Sequence, residues 1–183
     1  MMKMKSMAVL LALSVGGCSS LLPKRQVDST PFQTFDEAKS AIESLVPMKS
    51  DLKALEGKGI DLNTYPNATL LTHSDVVRRF VPSTIVKRED LDPGILLCLE
   101  SRDACRGVDL AVSKITKTRT GNFFADFANF NRRTHTTGWR LHAVILLVND
   151  RVVYRSWGGQ AVVDQMEESN NPLGPLQNLI SDN

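Results

Sequence analysis

The stretch W-R-L-H-A-V-I-L-L-V-N-D-R-V-V-Y, from Trp139 to Tyr154, commits this chain to a sheet. Trp139, Leu141 and Ala143 alternate with Arg140 and His142, the period of two that sends successive side chains to opposite faces of a strand. V-I-L-L-V, from Val144 to Val148, then drops the alternation and is apolar throughout. A run of that kind suits a central strand covered on both faces. Asn149-Asp150 supplies the two residues of a tight hairpin, because Asn and Asp tolerate the positive φ that such a turn requires. The return strand V-V-Y-R-S-W reaches Gly158-Gly159, which reads as a bulge or a sharp exit.

Two further segments read as strands: Gly107 to Thr118, with Val108, Leu110, Val112 and Ile115 set against Asp109, Ser113 and Lys117, and the short apolar run Ile95 to Leu99. Upstream the texture is helical. Thr34 followed by Glu37 has capping-box spacing, and Phe35, Ala38, Ile42, Leu45 and Val46 share one face until Pro47. Ser50 is placed to cap a second short helix with Leu52 and Leu55 inward, ended by Gly57 and Gly59. A third begins at Thr72 or Ser74 and buries Val76, Val77 and Phe80 before Pro82. The expected fold class is α+β: two or three short N-terminal helices packed on a three- to four-stranded antiparallel sheet. The tail N-N-P-L-G-P-L-Q-N-L-I is too rich in proline to start a helix and is expected to lie extended along the body.

The first residues belong to a different problem. Lys3 and Lys5 precede the apolar run Met7 to Val15, and Gly16-Gly17 lead into Cys18. A charged start, a brief apolar stretch and a small-residue exit describe a secretory signal, too short to span a bilayer. V-G-G-C resembles the bacterial lipobox, which implies cleavage before Cys18 and a lipid on its sulfur. By resemblance to enterobacterial lipoprotein sorting, Ser19 in the next position, where aspartate would favour retention at the inner membrane, implies the outer membrane, with the periplasmic face favoured over the cell surface. The organisation expected is a signal peptide over 1–17, a lipidated flexible tether over 18–33 and a single domain over 34–183. Leaving out residues 1–17 removes two of the 22 basic residues and none of the 20 acidic ones, so the remainder is neutral. That balance gives no electrostatic case for nucleic acid.

With Cys18 taken by lipid, Cys98 and Cys105 form an even pair in an oxidising compartment and are expected to be bridged. No neighbouring Cys or His completes a four-ligand metal set, and no metal or cofactor is expected. The chain carries no H-E-x-x-H, G-x-S-x-G, phosphate loop or dinucleotide fingerprint. His73-Ser74-Asp75 has the residue types of a hydrolytic triad, but neighbours at one helix start cannot converge on one reacting atom, and capping by Ser74 accounts for them better. His135 and His142 have no assignable acidic partner. Arg119 and Gly121 read as turn residues.

One segment remains: T-G-N-F-F-A-D-F-A-N-F-N-R-R. Phe123, Phe124, Phe127 and Phe130 recur at helical spacing beside Arg132 and Arg133. Read as a surface, Phe123, Phe124, Phe130, Arg132 and Arg133 are a contact patch for a partner protein or for bilayer headgroups. Read as core, the rings cap the sheet, Phe127 and at least one neighbour are buried, and the two arginines lie at a solvated edge that tolerates alanine.

The order of parts, helices then antiparallel strands behind a lipobox, resembles the small outer-membrane lipoproteins of the SmpA/OmlA (BamE) family. The residues that carry the likeness are V-P-M-K-S-D-L-K-A-L-E-G, 46–57, and the strand pair around Trp139 to Tyr154. Met48 follows proline where that family has Gly-Met, and the phenylalanine-rich insertion and Cys98 and Cys105 are additional. The resemblance implies a non-enzymatic interaction module, anchored to the membrane by lipid and contacting an envelope protein. A ligand-binding or inhibitor lipoprotein using the sheet face is the alternative, and a hydrolase with an unrecognised site a further one.

Overall fold

The computed structural model describes residues 22–60, 67–83, 85–128 and 130–171. The fold is α+β, helices packed on a five-stranded antiparallel sheet. In chain order the elements are β1 (Lys24–Asp28), α1 (Phe35–Glu43), α2 (Leu52–Glu56), β2 (Ala68–Leu71), α3 (His73–Phe80), α4 (Pro93–Glu100), β3 (Cys105–Thr120), α5 (Phe123–Phe127), β4 (Asn131–Val148) and β5 (Arg151–Asn170). The strands lie in the order β1-β3-β4-β5, and β2 also pairs with β3, with Ala68 opposite Leu110 and Leu71 opposite Gly107. The chain divides into two compact units, a helical one formed by residues 27–115 and 138–163 and an aromatic one whose described residues are 22–26, 116–137 and 164–171.

In the helical unit the central strand is β4, as its uninterrupted apolar run requires. Its odd-numbered residues Trp139, Leu141, Ala143, Ile145 and Leu147 enter one core with Ala38, Ile42 and Leu45 of the α1 region, Leu55 of α2 and Val108, Leu110 and Val112 of β3. Its even-numbered Val144 and Leu146 enter a second core with Val76 of α3, Ile95 and Cys98 of α4, and Val153 of β5. Helices therefore cover both faces of β4. Asn149 and Asp150 both have positive φ, 50° and 62°, as the hairpin demands.

Helix starts follow local hydrogen-bonding chemistry. The Thr34 hydroxyl accepts from the Glu37 N–H at 3.2 Å, but the Glu37 carboxylate reaches back to the Gln33 N–H, one residue beyond the Thr34 N–H of the box the spacing predicts. Asp51, not Ser50, caps α2 by accepting from the Ala54 N–H, while Ser50 accepts from the Val46 N–H. Thr72, not Ser74, caps α3, in a complete capping box with Asp75. These three carboxylates and hydroxyls each satisfy amides that a helix start leaves without partners.

Four expectations are corrected. Ile95 to Leu99 is the middle of α4, not a strand: Asp92 accepts from the Gly94 N–H and Pro93 occupies the first helical position, a strong start signal placed ahead of an apolar run too short to show its period. A Cβ on Gly94 would lie 1.9 Å from the Val153 carbonyl oxygen, so α4 meets the β5 backbone directly. The tether assigned to 18–33 gives way from Lys24: residues 24–28 form β1, Ser29 and Ser113 exchange hydrogen bonds, and Phe32 is buried. The strands β4 and β5 are far longer than alternation suggested, taking in the T-H-T-T segment over 134–137 and running on past Gly158-Gly159 to Asn170. Gly159, at φ 156°, continues the strand where its missing Cβ would sit 2.3 Å from the Arg140 carbonyl oxygen. Val46, expected on the inner face, is exposed. The segments 1–21 and 172–183, with the lipobox and the proline-rich tail, lie outside the described residues.

Candidate functional site

The sulfurs of Cys98 and Cys105 are bonded, with the Cα atoms 4.9 Å apart. Both residues are buried in the second core, and the bridge ties α4 to the first residue of β3. The pair is a staple of the fold. Cys18 lies outside the described residues.

The aromatic unit holds the candidate surface. Gly121, at φ 113°, turns the chain out of β3, and the Asn122 side chain accepts from the Phe124 N–H at 2.9 Å to start α5. The expectation that Phe127 is core is overturned: it is 81% exposed, with Phe124 at 65% and Phe130 at 47%. Phe123 is half-buried, its ring stacked on Phe127 at 5.9 Å and edge-on to Phe124 at 5.6 Å. The rings of Phe123, Phe124 and Phe127 pack on one another. Exposed aromatics this close together form one apolar patch rather than scattered apolar residues.

Within α5 itself lies a polar anchor that motif and periodicity arguments passed over. Asp126 is 4% exposed. Its Oδ1 accepts from Arg132 Nε at 3.1 Å and from Arg119 Nη1 at 3.4 Å. A carboxylate is kept out of water only where such partners compensate it. Arg119 is thus more than a turn residue, and Arg132 is not the dispensable edge residue expected of it. The signal was present in the charge pattern: Asp126 is the sole acid between Asp109 and Asp150, set among Lys117, Arg119, Arg132 and Arg133. Arg133 pairs instead with Glu168 at 3.1 Å. The Asn131 amide, first, and the Arg133 guanidinium, second, hold the Glu168 carboxyl below the usual range by hydrogen bonding to its charged form.

The histidines stay apart. His135 Nε2 meets Asp164 Oδ1 at 2.7 Å, an acidic partner sequence reasoning did not find, because the two lie on β4 and β5, 29 residues apart. The pair is exposed, and among the described residues no hydroxyl or thiol nucleophile is hydrogen-bonded to His135. His73 Nε2 contacts the Leu99 carbonyl oxygen at 3.0 Å, beside the Thr72–Asp75 cap, and His142 is exposed on β4. Among the described residues no group of His, Cys, Asp and Glu is placed to hold a metal ion, and no helix is long and apolar enough to cross a membrane. An open groove of about 530 Å³ is lined by Val81, Val86, Leu91, Leu96 and Leu99 with Arg88 at its rim. Comparison with protein-family models, with curated proteins and with solved structures finds no match for this chain.

Proposed function

We propose that this protein is a non-enzymatic module of the bacterial cell envelope, anchored to the outer membrane through lipid on Cys18 and acting through the contact surface formed by Phe124, Phe127 and Phe130. The observation that carries the reading is the exposure of those three rings over a buried, doubly paired Asp126. Leaving large apolar area in water is costly, and so is burying a carboxylate, so a fold that combines them presents the rings on a braced platform. The V-G-G-C sequence supports the anchor, and a single acyl chain gives only marginal attachment, so the several chains such a cysteine carries make it lasting. Fractionation of cells producing the Cys18→Ala form tests the anchor: the variant is expected to leave the membrane fraction, and a variant that stays wholly with the outer membrane overturns it.

A second reading, a ligand-binding lipoprotein, draws on the groove lined by Leu91, Leu96 and Leu99. It differs from the sheet-face site of the sequence expectation, because those residues come from α4 and the segment before it. Titration of a Leu96→Trp form with a long-chain fatty acid separates the two, since only occupation of the groove shifts the indole emission.

A further inference from the structure

We infer that the partner of the phenylalanine surface is the bilayer itself: Phe124, Phe127 and Phe130 enter the interface of the membrane that holds Cys18. This rests on the anchor proposed above and adds to it the place where the fold touches lipid. The Arg119 N–H donates to the Pro23 carbonyl at 3.3 Å, so the point where the N-terminal segment joins the described fold is pinned to the end of β3, four residues ahead of Phe123. Five Cα-to-Cα steps separate Cys18 from Pro23. At about 3.4 Å each, they span at most about 17 Å even when fully extended. A sulfur acylated at the membrane surface therefore confines the start of β1, and α5 within the same unit, to a layer only a few headgroup thicknesses deep.

The rings are apolar to the tip, and phenylalanine carries no polar atom that water must keep. Three of the nearby cations are already engaged: Arg119 and Arg132 by Asp126, Arg133 by Glu168. Attraction to anionic headgroups is thereby blunted, and insertion is driven by burial of the rings to the shallow depth that interfacial helices reach, about 5–10 Å. A protein partner would be expected to use the arginines, which commonly anchor such interfaces.

The test uses the lipidated full protein reconstituted in vesicles, with Phe127→Trp as an aromatic reporter and the parent, which has Trp139 and Trp157, subtracted as background. In phosphatidylcholine vesicles, lipids brominated in the upper acyl chain are expected to quench the added indole at least twofold, while aqueous iodide quenches it little. Replacing a third of the lipid by phosphatidylglycerol is expected to change neither result. An indole quenched by iodide but not by bromolipid overturns the inference in favour of a free surface. Shielding from both overturns it in favour of a second copy covering the patch, and quenching confined to the anionic vesicles overturns it in favour of charge capture. Flotation of the parent with the vesicles is scored separately. A parent that floats with an unquenched reporter defeats this inference alone; a parent that does not float defeats the anchor and the inference together.

Discussion

Replacing Asp126 by alanine strips Arg119 and Arg132 of their shared acceptor. Breaking a wholly buried ion pair by deleting one member costs about 3–5 kcal/mol, because the survivor is left charged and dry. Here the carboxylate is 5% exposed, but the two arginine side chains are 35% and 38% exposed. The orphaned guanidiniums therefore recover part of their hydration. The loss falls toward the value of the charged hydrogen bonds themselves, about 1.5–3 kcal/mol for a good one, and the contact at 3.4 Å is long. About 2–3 kcal/mol is the expected local penalty, or a rise in opening of about 30- to 160-fold. Native-state hydrogen exchange reads it at two amides: that of residue 126, bonded to the Asn122 carbonyl, and that of Ala128, bonded to the Phe124 carbonyl. Asp126→Asn keeps an acceptor without the charge and is expected to lose about half as much. Protection within twofold of the parent in Asp126→Ala would refute the reasoning, since the bracing of α5 would then not pass through this carboxylate.

Gly94→Ala forces a methyl to 1.9 Å from the Val153 carbonyl oxygen, and is expected to cost about 3 kcal/mol or more in urea unfolding, whereas Gly158→Ala, with no atom within 4 Å, is expected to be silent. The Thr72 hydroxyl and N–H, followed by Arg78, lower the Asp75 carboxyl from 3.8 to about 2. Its stabilising share is therefore complete above about pH 4 and is lost as the pH falls toward 2, and Asp75→Asn is expected to flatten that limb of the melting-temperature profile. Opening the Cys98–Cys105 bridge, which closes a loop of seven-residue separation, is expected to lower stability by about 2.5 kcal/mol, and a reduced protein that melts with the oxidised one would refute that share.

What could be read from the chain followed the physics of each segment. The hairpin at Asn149-Asp150 was legible because turn and flanking strands are specified by adjacent residues, and the two-faced burial of Val144 to Val148 followed from an apolar run that no one-sided strand would carry. The bridge between Cys98 and Cys105 needed only a count. The helix α4 was not legible as one, since five apolar residues between Pro93 and Glu100 suit a buried strand equally. Nor were the polar halves of β4 and β5, where N-R-R-T-H-T-T-G shows no alternation and is held by pairing with other strands. The phenylalanines misled for a related reason: helical spacing tells which residues share a face, not whether anything covers it. Asp126 could have been suspected from its solitude among cations, but only the fold brings Arg119 and Arg132 to the same oxygen.

The two-sided burial of β4 has a consequence for how the hairpin finds its alignment. Sliding an ordinary half-exposed strand by one residue turns its apolar set to water, and that penalty polices the pairing. Between Val144 and Val148 no such penalty exists, because either set of side chains is apolar and either core accepts one. Errors made beside the turn would be felt only when Arg140 and His142, ten and eight residues before Asp150, were driven toward the core that holds Trp139 and Leu141. The positive-φ pair Asn149-Asp150 is therefore the early arbiter of alignment, and lengthening that turn by one residue would produce chains that pair smoothly at first and jam late, with unpaired strand edges exposed to neighbouring molecules.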